Sequence, residues 1–208
     1  MIISASRRTD IPAFFSEWFF NRIKEGYVLV PNPFNPKMLS KISLSPIVID
    51  CIVFWTKNPE PMLNNLNQLK DYKYYFQFTL NPYGNKLEIN LPSIDKLLDT
   101  FKRLSDKIGR EKVIWRYDPI LTNDEFNISF HQERFAMIAD ELKDYTEKCM
   151  LGFIDHYPHI LNTTRQFNIQ PLRKDEIENI AISFKSTIDN HPSIQLETCT
   201  TKVDLRYL

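Results

Sequence analysis

Short uninterrupted apolar runs recur along the chain, each followed by polar residues and then by apolar positions at helical spacing. The runs are Met1–Ser6, Asp50–Trp55, Tyr74–Leu80, Lys112–Tyr117, Cys149–Ile154 and Ile194–Thr198. They are rich in Val, Ile, Phe and Tyr and poor in charge, the pattern of strands buried on both faces. Between them the period lengthens. Ile11, Phe15, Trp18, Phe19 and Ile23 predict a first helix, with Asp10 as its N-cap and Pro12 in its first turn. A second follows Pro59 and Pro61 through Met62, Leu63, Leu66 and Leu69, and a third carries Ile94, Leu97, Leu98, Phe101, Leu104 and Ile108. Ser129 with Gln132 three residues later has the capping-box pattern and opens a fourth, through Phe135, Ile138, Ala139 and Leu142. A last long helix carries Ile177, Ile180, Ala181, Phe184 and Ile188, and a short one is expected around 157–167. Tyr27–Val30 and Lys41–Leu44 flank the turn-rich PNPFNPK and predict a β-hairpin inserted near 27–44.

Strands alternating with helices predict an α/β fold with a mostly parallel sheet. A full eight-stranded barrel takes about 250 residues, so a TIM-barrel-like (β/α) barrel of this length is expected to be six-stranded or incomplete. The faces favour that barrel over an open doubly wound sheet. Phe76, Phe78 and Leu80 oppose Tyr75, Gln77 and Thr79; Val113, Trp115 and Tyr117 oppose Ile114, Arg116 and Asp118; Ile194 and Leu196 oppose Gln195, Glu197 and Cys199. Gln77, Arg116 and Glu197 suit a wet lumen better than a layer of helices. The expected organisation is one barrel-like domain over residues 1–208.

Composition narrows the function classes. The 208 residues are 43% hydrophobic and 25% charged, which excludes disorder as the main state. With 26 basic against 26 acidic residues there is no long-range field to attract nucleic acid or a membrane surface in general. Of four glycines, Gly26 and Gly109 follow helical patterns as C-caps, and the remaining Gly84 and Gly152 cannot build a phosphate-cradling loop. The opening MIISASRRTD is not expected to act as a secretory signal, and no run of 18 apolar residues exists in the sequence to span a membrane. Three well-separated cysteines, Cys51, Cys149 and Cys199, argue against a disulfide scaffold and for a reduced, cytoplasmic setting.

In parallel α/β folds ligands meet the carboxyl ends of the strands. Here those ends read SRRTD, TKNP, TLNPY, RYDP, IDHY and ETCT. Arg7 and Arg8 offer guanidinium forks to a phosphate or carboxylate, or bridge Asp10 as a solvated pair. Arg116, inside a strand, is either an anion clamp or half of an internal salt bridge with Asp118 or Glu197. Lys57 is a candidate anion binder or base, and Gln77 a polar lumen group. Asp118, Asp155, His156 and Glu197 form a candidate divalent-metal set, with Asp155 and His156 as the ligands proper.

Taken in order, MIISASRRTDIPAFFSEWFFNRIKEGY, PNPFNP, CIVFWTKNPEPM, YYFQFTLNPYG, VIWRYDPI, YTEKC and LETC resemble the prokaryotic family known as domain of unknown function 1848. The resemblance covers essentially the whole chain. It implies that longer members continue into a cysteine-rich tail with a CxxxCxxC pattern, similar to the iron–sulfur ligand set of radical S-adenosylmethionine enzymes, which also use six-stranded partial barrels. RYDP is similar to strand ends of photoproduct-lyase-like members of that superfamily. Cys199 matches the cysteine of the family's last strand, which in a complete protein can join the cluster. This chain has no CxxxCxxC, so it is expected to lack the tail and, as it stands, to hold no four-iron cluster.

Three functions compete. The first is an enzyme-type barrel holding an anionic small molecule with Arg7, Arg8 and Arg116, while Asp118 and Glu197 position the arginine or exchange a proton. The second is a divalent-metal-dependent lyase or isomerase. The third is a non-catalytic truncated barrel serving as a binding or scaffold module.

Overall fold

A computed structural model describes residues 1–6, 8–155, 158–199 and 205. The chain divides into two compact units, Met1–Phe78 and Thr79–Leu208. Six strands form the parallel sheet of an α/β fold; no closed barrel is found among the described residues. Arg7 and His156 lie outside those residues.

The first unit opens with β1 (Ile2–Ser4), followed by α1 (Ile11–Phe14) and α2 (Ser16–Glu25). Asp10 is the N-cap, its carboxylate accepting the Ala13 amide at 3.0 Å, and Pro12 sits in the first turn. The expected single helix is two, because Phe15 leaves helical geometry (φ −133°, ψ 26°). Gly26 ends α2 at φ 76°, a left-handed conformation that only glycine adopts without steric cost. The expected hairpin follows, as antiparallel β2 (Tyr27–Pro31) and β3 (Leu39–Ser43), in a ribbon of its own.

β4 (Cys51–Thr56) pairs in parallel with β1 and with β5 (Tyr74–Thr79). Between β4 and β5 the chain forms a 3-10 helix over Glu60–Leu69 where an α-helix was expected. Leu63, Leu66 and Leu69 are all buried. Their spacing of three suits a helix with three residues per turn, and Pro59 and Pro61 fix its start. The core beneath is aromatic: Phe54 stacks on Phe76 at 4.8 Å and meets the edge of Phe19 at 5.2 Å.

The second unit contains α3 (Ile94–Ile108), β6 (Val113–Ile120), α4 (Ile128–Leu142), β7 (Lys148–Phe153), α5 (Leu161–Gln166), α6 (Lys174–Asp189) and β8 (Gln195–Thr198). The fourth helix begins earlier than the Ser129 pattern suggests. Asn127 is its N-cap, accepting from the Phe130 amide at 2.9 Å. β6, β7 and β8 run parallel, with Trp115 beside Cys149 and Leu196, and Arg116 beside Met150 and Glu197. This register separates two faces. On one, Trp115 stacks on Phe135 at 4.9 Å, and Phe135 stacks on Phe184 at 3.8 Å with planes 5° apart. Tyr117 lies edge-on to both phenylalanines, so α4 and α6 cover that side. The other face carries Arg116, Asp118 and Glu197.

Candidate functional site

The second unit's strand ends are organised around Asp118. It follows Arg116 by two residues on β6, so both side chains leave the same face. The Arg116 guanidinium donates to the Asp118 carboxylate. The arginine side chain is 5% exposed and the aspartate 28%, so the buried cation has its counter-ion while that carboxylate still reaches solvent. Asn81 brackets the same residue. Its amide nitrogen donates to the Asp118 carbonyl at 2.9 Å and its side-chain oxygen accepts the Asp118 amide at 3.0 Å.

Gly152, in the interior of β7, makes the room. A Cβ built at this position would overlap the Asp118 carboxylate. A glycine inside a strand is costly unless something must come close to the backbone, and here a carboxylate does. Beyond Asp118, Tyr83 donates to the Pro119 carbonyl at 2.6 Å and accepts the Leu121 amide at 3.2 Å. Burial pushes the Tyr83 phenol up from its ordinary pKa. Next to it His131 is held neutral. Its Nε2 donates to the Leu121 carbonyl at 2.7 Å, its Nδ1 accepts from the Tyr117 hydroxyl at 2.9 Å, and burial lowers its pKa to about 4.

Of the other expected site residues in this unit, Glu197 is partly buried and lies 2.5 Å from the Lys148 ammonium. Asp155 is partly buried after β7. The candidate metal set includes His156, which is outside the described residues. Among those described, no three His, Cys, Asp or Glu side chains are grouped closely enough to hold a metal ion.

The iron–sulfur cluster implied for longer relatives needs thiolates gathered from a compact motif. The cysteines here belong to β4, to β7 and to the end of β8, and Cys149 is fully buried on the helix-covered face, its thiol pKa pushed well up by burial. These residues do not fit such a cluster.

The first unit has a different feature at its strand ends. Where β1 ends, Ser4 and Ala5 lead to Arg8 and a hollow of about 440 Å³. Phe15 and Trp18 from the helical segment line it, with Val28 and Val30 of the ribbon. Arg8 donates from Nη2 to the Pro31 carbonyl at 3.0 Å, which fixes the guanidinium near the ribbon's end. It is the only charged residue lining the hollow among those described. Lys57, partly buried in the turn after β4, is anchored through its backbone amide, which donates to the second Asp10 carboxylate oxygen at 2.7 Å. Gln77 is buried on β5.

The structure thus brings Arg116 together with Asp118 and seats Arg8 in the wall of a cavity. The sequence reading missed Asn81, Gly152, Phe15 and Trp18 as site-forming residues. Gly152 carried a usable signal, a glycine interior to an apolar strand. The aromatic pair carried a weaker one, since Phe14, Phe15, Trp18, Phe19 and Phe20 are too many for the single buried stripe of a short helix. Among the described residues no helix is long and apolar enough to cross a membrane. No curated protein and no solved structure matches the chain. The family model described as Domain of unknown function (DUF1848) matches residues 2–208, and the chain belongs to that family.

Proposed function

We propose that this protein is an enzyme-type domain that binds an anionic small molecule at the carboxyl ends of its parallel strands. One observation carries the reading: the 440 Å³ hollow beside the end of β1, in which Arg8 is the only charged lining residue among those described. A concave site of this size with few polar groups is the usual form of a small-molecule site. A guanidinium at its wall selects for negative charge and, being planar, for a carboxylate or phosphate edge. An incomplete (β/α) barrel belongs to the same proposal. It is supported by strands that are apolar on one face and carry Gln77, Arg116 or Glu197 on the other.

Separately, the second unit offers Asp118 as a carboxylate able to exchange a proton or orient a polar substituent. Arg116, Asn81 and the Gly152 niche hold it in place while its carboxylate stays reachable. The charge of the ligand is the point to test. Calorimetric titration should show octanoate binding saturably, one per chain, and octylammonium failing to bind. Arg8→Gln should weaken octanoate about tenfold or more, the usual loss when a charge-assisted hydrogen bond is removed. Equal binding of the cation, or an unchanged constant in Arg8→Gln, overturns the proposal.

A further inference from the structure

The anion reading says nothing about the body of the ligand, and the hollow is specific on that point. Its wall is mostly aromatic and aliphatic, with Phe15, Trp18, Val28, Leu29 and Val30 lining it alongside Arg8 and the hydroxyls of Ser4 and Thr9. Several of these are left in water. Phe15 is 47% exposed and Trp18 45%, although both stand at positions whose helical spacing marks them for a core. Elsewhere in the same unit aromatic rings are buried against one another, as Phe19, Phe54 and Phe76 are. Half-exposed rings gathered around a concavity, with one cation among them, mark a surface shaped for an apolar guest bearing one negative charge.

Resting on the anion reading, we infer that the ligand is an amphipathic monoanion: a carboxylate on an apolar acyl or aryl body, its head on Arg8 and its body against Trp18 and Phe15. The charge count supports a single head group. Arg8 is the one charged lining residue among those described, and one of its five N–H donors is already spent on Pro31. A carboxylate balances it one to one, whereas a second negative charge finds no second cation among the described lining residues, whose other polar side chains are the neutral Ser4 and Thr9. The ribbon supplies part of the cavity wall. Val28 and Val30 alternate along the strand, so both side chains leave one face of the ribbon and give the body of the guest branched aliphatic groups to meet.

The test is a calorimetric series at fixed ionic strength: butyrate, hexanoate, octanoate, octanol and inorganic phosphate, on the full chain and on Arg8→Gln and Trp18→Ala. Both substituted residues are exposed, so the variants keep their fold, which circular dichroism verifies. The expected result is a gain of about fourfold in affinity per added methylene until the hollow is filled. Octanoate, four methylenes longer, then exceeds butyrate by about two-hundredfold and phosphate by more. Arg8→Gln weakens octanoate about tenfold while leaving octanol within about twofold; Trp18→Ala weakens both. If butyrate and phosphate bind as tightly as octanoate and still depend on Arg8, the anion reading stands and the apolar body is wrong. If no acid binds in an Arg8-dependent way, both fall. A dimer at working concentration whose formation excludes octanoate also overturns the inference, because a second copy of the chain is then the occupant.

Discussion

Two aromatic groups, one in each unit, differ in how they are covered. In the second, Trp115, Tyr117, Phe135 and Phe184 are all fully buried, and stacked or edge-on contacts between 3.8 and 5.9 Å tie them together. In the first, Phe15 and Trp18 are half exposed and line a cavity that contains one guanidinium. Residues of the same chemical kind are therefore closed into a core in one place and left at a cavity wall in the other. What separates them is whether the neighbouring elements close over the ring. The charged groups divide in the same way: Arg116 is closed by Asp118, whereas Arg8 is fixed at a wall that solvent reaches.

The sharpest way to break this contrast is to truncate one ring from each set. Phe184→Ala should cost about 3–5 kcal/mol in urea unfolding, since the cavity lies inside a stack that cannot collapse. Trp18→Ala should stay within about 1 kcal/mol of the parent. Comparable losses at the two positions would mean that the exposed ring is core after all.

Acid titrates the second unit's interior. The folded chain accepts a proton on His131 only near pH 4, while the unfolded chain accepts it near 6.5. The unfolded state therefore binds more protons through this window. Stability is fully present above about pH 6.5 and is lost as pH falls toward 4, by roughly 3 kcal/mol in all. Urea midpoints measured across that range should show the slope, and His131→Gln should flatten it. A slope that survives the substitution assigns the acid sensitivity to other groups.

Gly152→Ala should cost about 1–3 kcal/mol, because the new methyl group has to displace the Asp118 carboxylate from its place beside Arg116. In an Asp118→Gly background the same change should cost much less, and the difference between the two measures the niche directly. Additivity would show that the alanine clashes with something else. The smallest effect belongs to Arg8→Gln, whose unfolding midpoint should shift by less than about 0.5 kcal/mol, consistent with a residue that serves binding more than folding.

Much of the architecture was legible in the chain. Strand positions, the hairpin, the Asp10 cap and the Gly26 and Gly109 helix ends follow from local periodicity and backbone chemistry, which act within a few residues. Two local misreadings have local causes. Leu63, Leu66 and Leu69 fit a three-residue turn as well as an α-helix, and Asn127 competes with Ser129 as the cap. The site was less legible. That Arg116 faces Asp118 follows from the period of two in a strand. The niche opened by Gly152 and the clamp of Asn81 depend on register between segments distant in sequence, and a single chain does not display register. The hollow was hidden for a related reason: helical spacing marks Phe15 and Trp18 as apolar-face residues without saying whether anything covers that face.

The most direct trial of the central claim is a crystal structure grown with octanoate. The account predicts one acyl chain in the hollow at the end of β1, its carboxylate within hydrogen-bond reach of the Arg8 guanidinium and its carbons against Trp18. An octanoate ordered elsewhere while the hollow holds only solvent would contradict it.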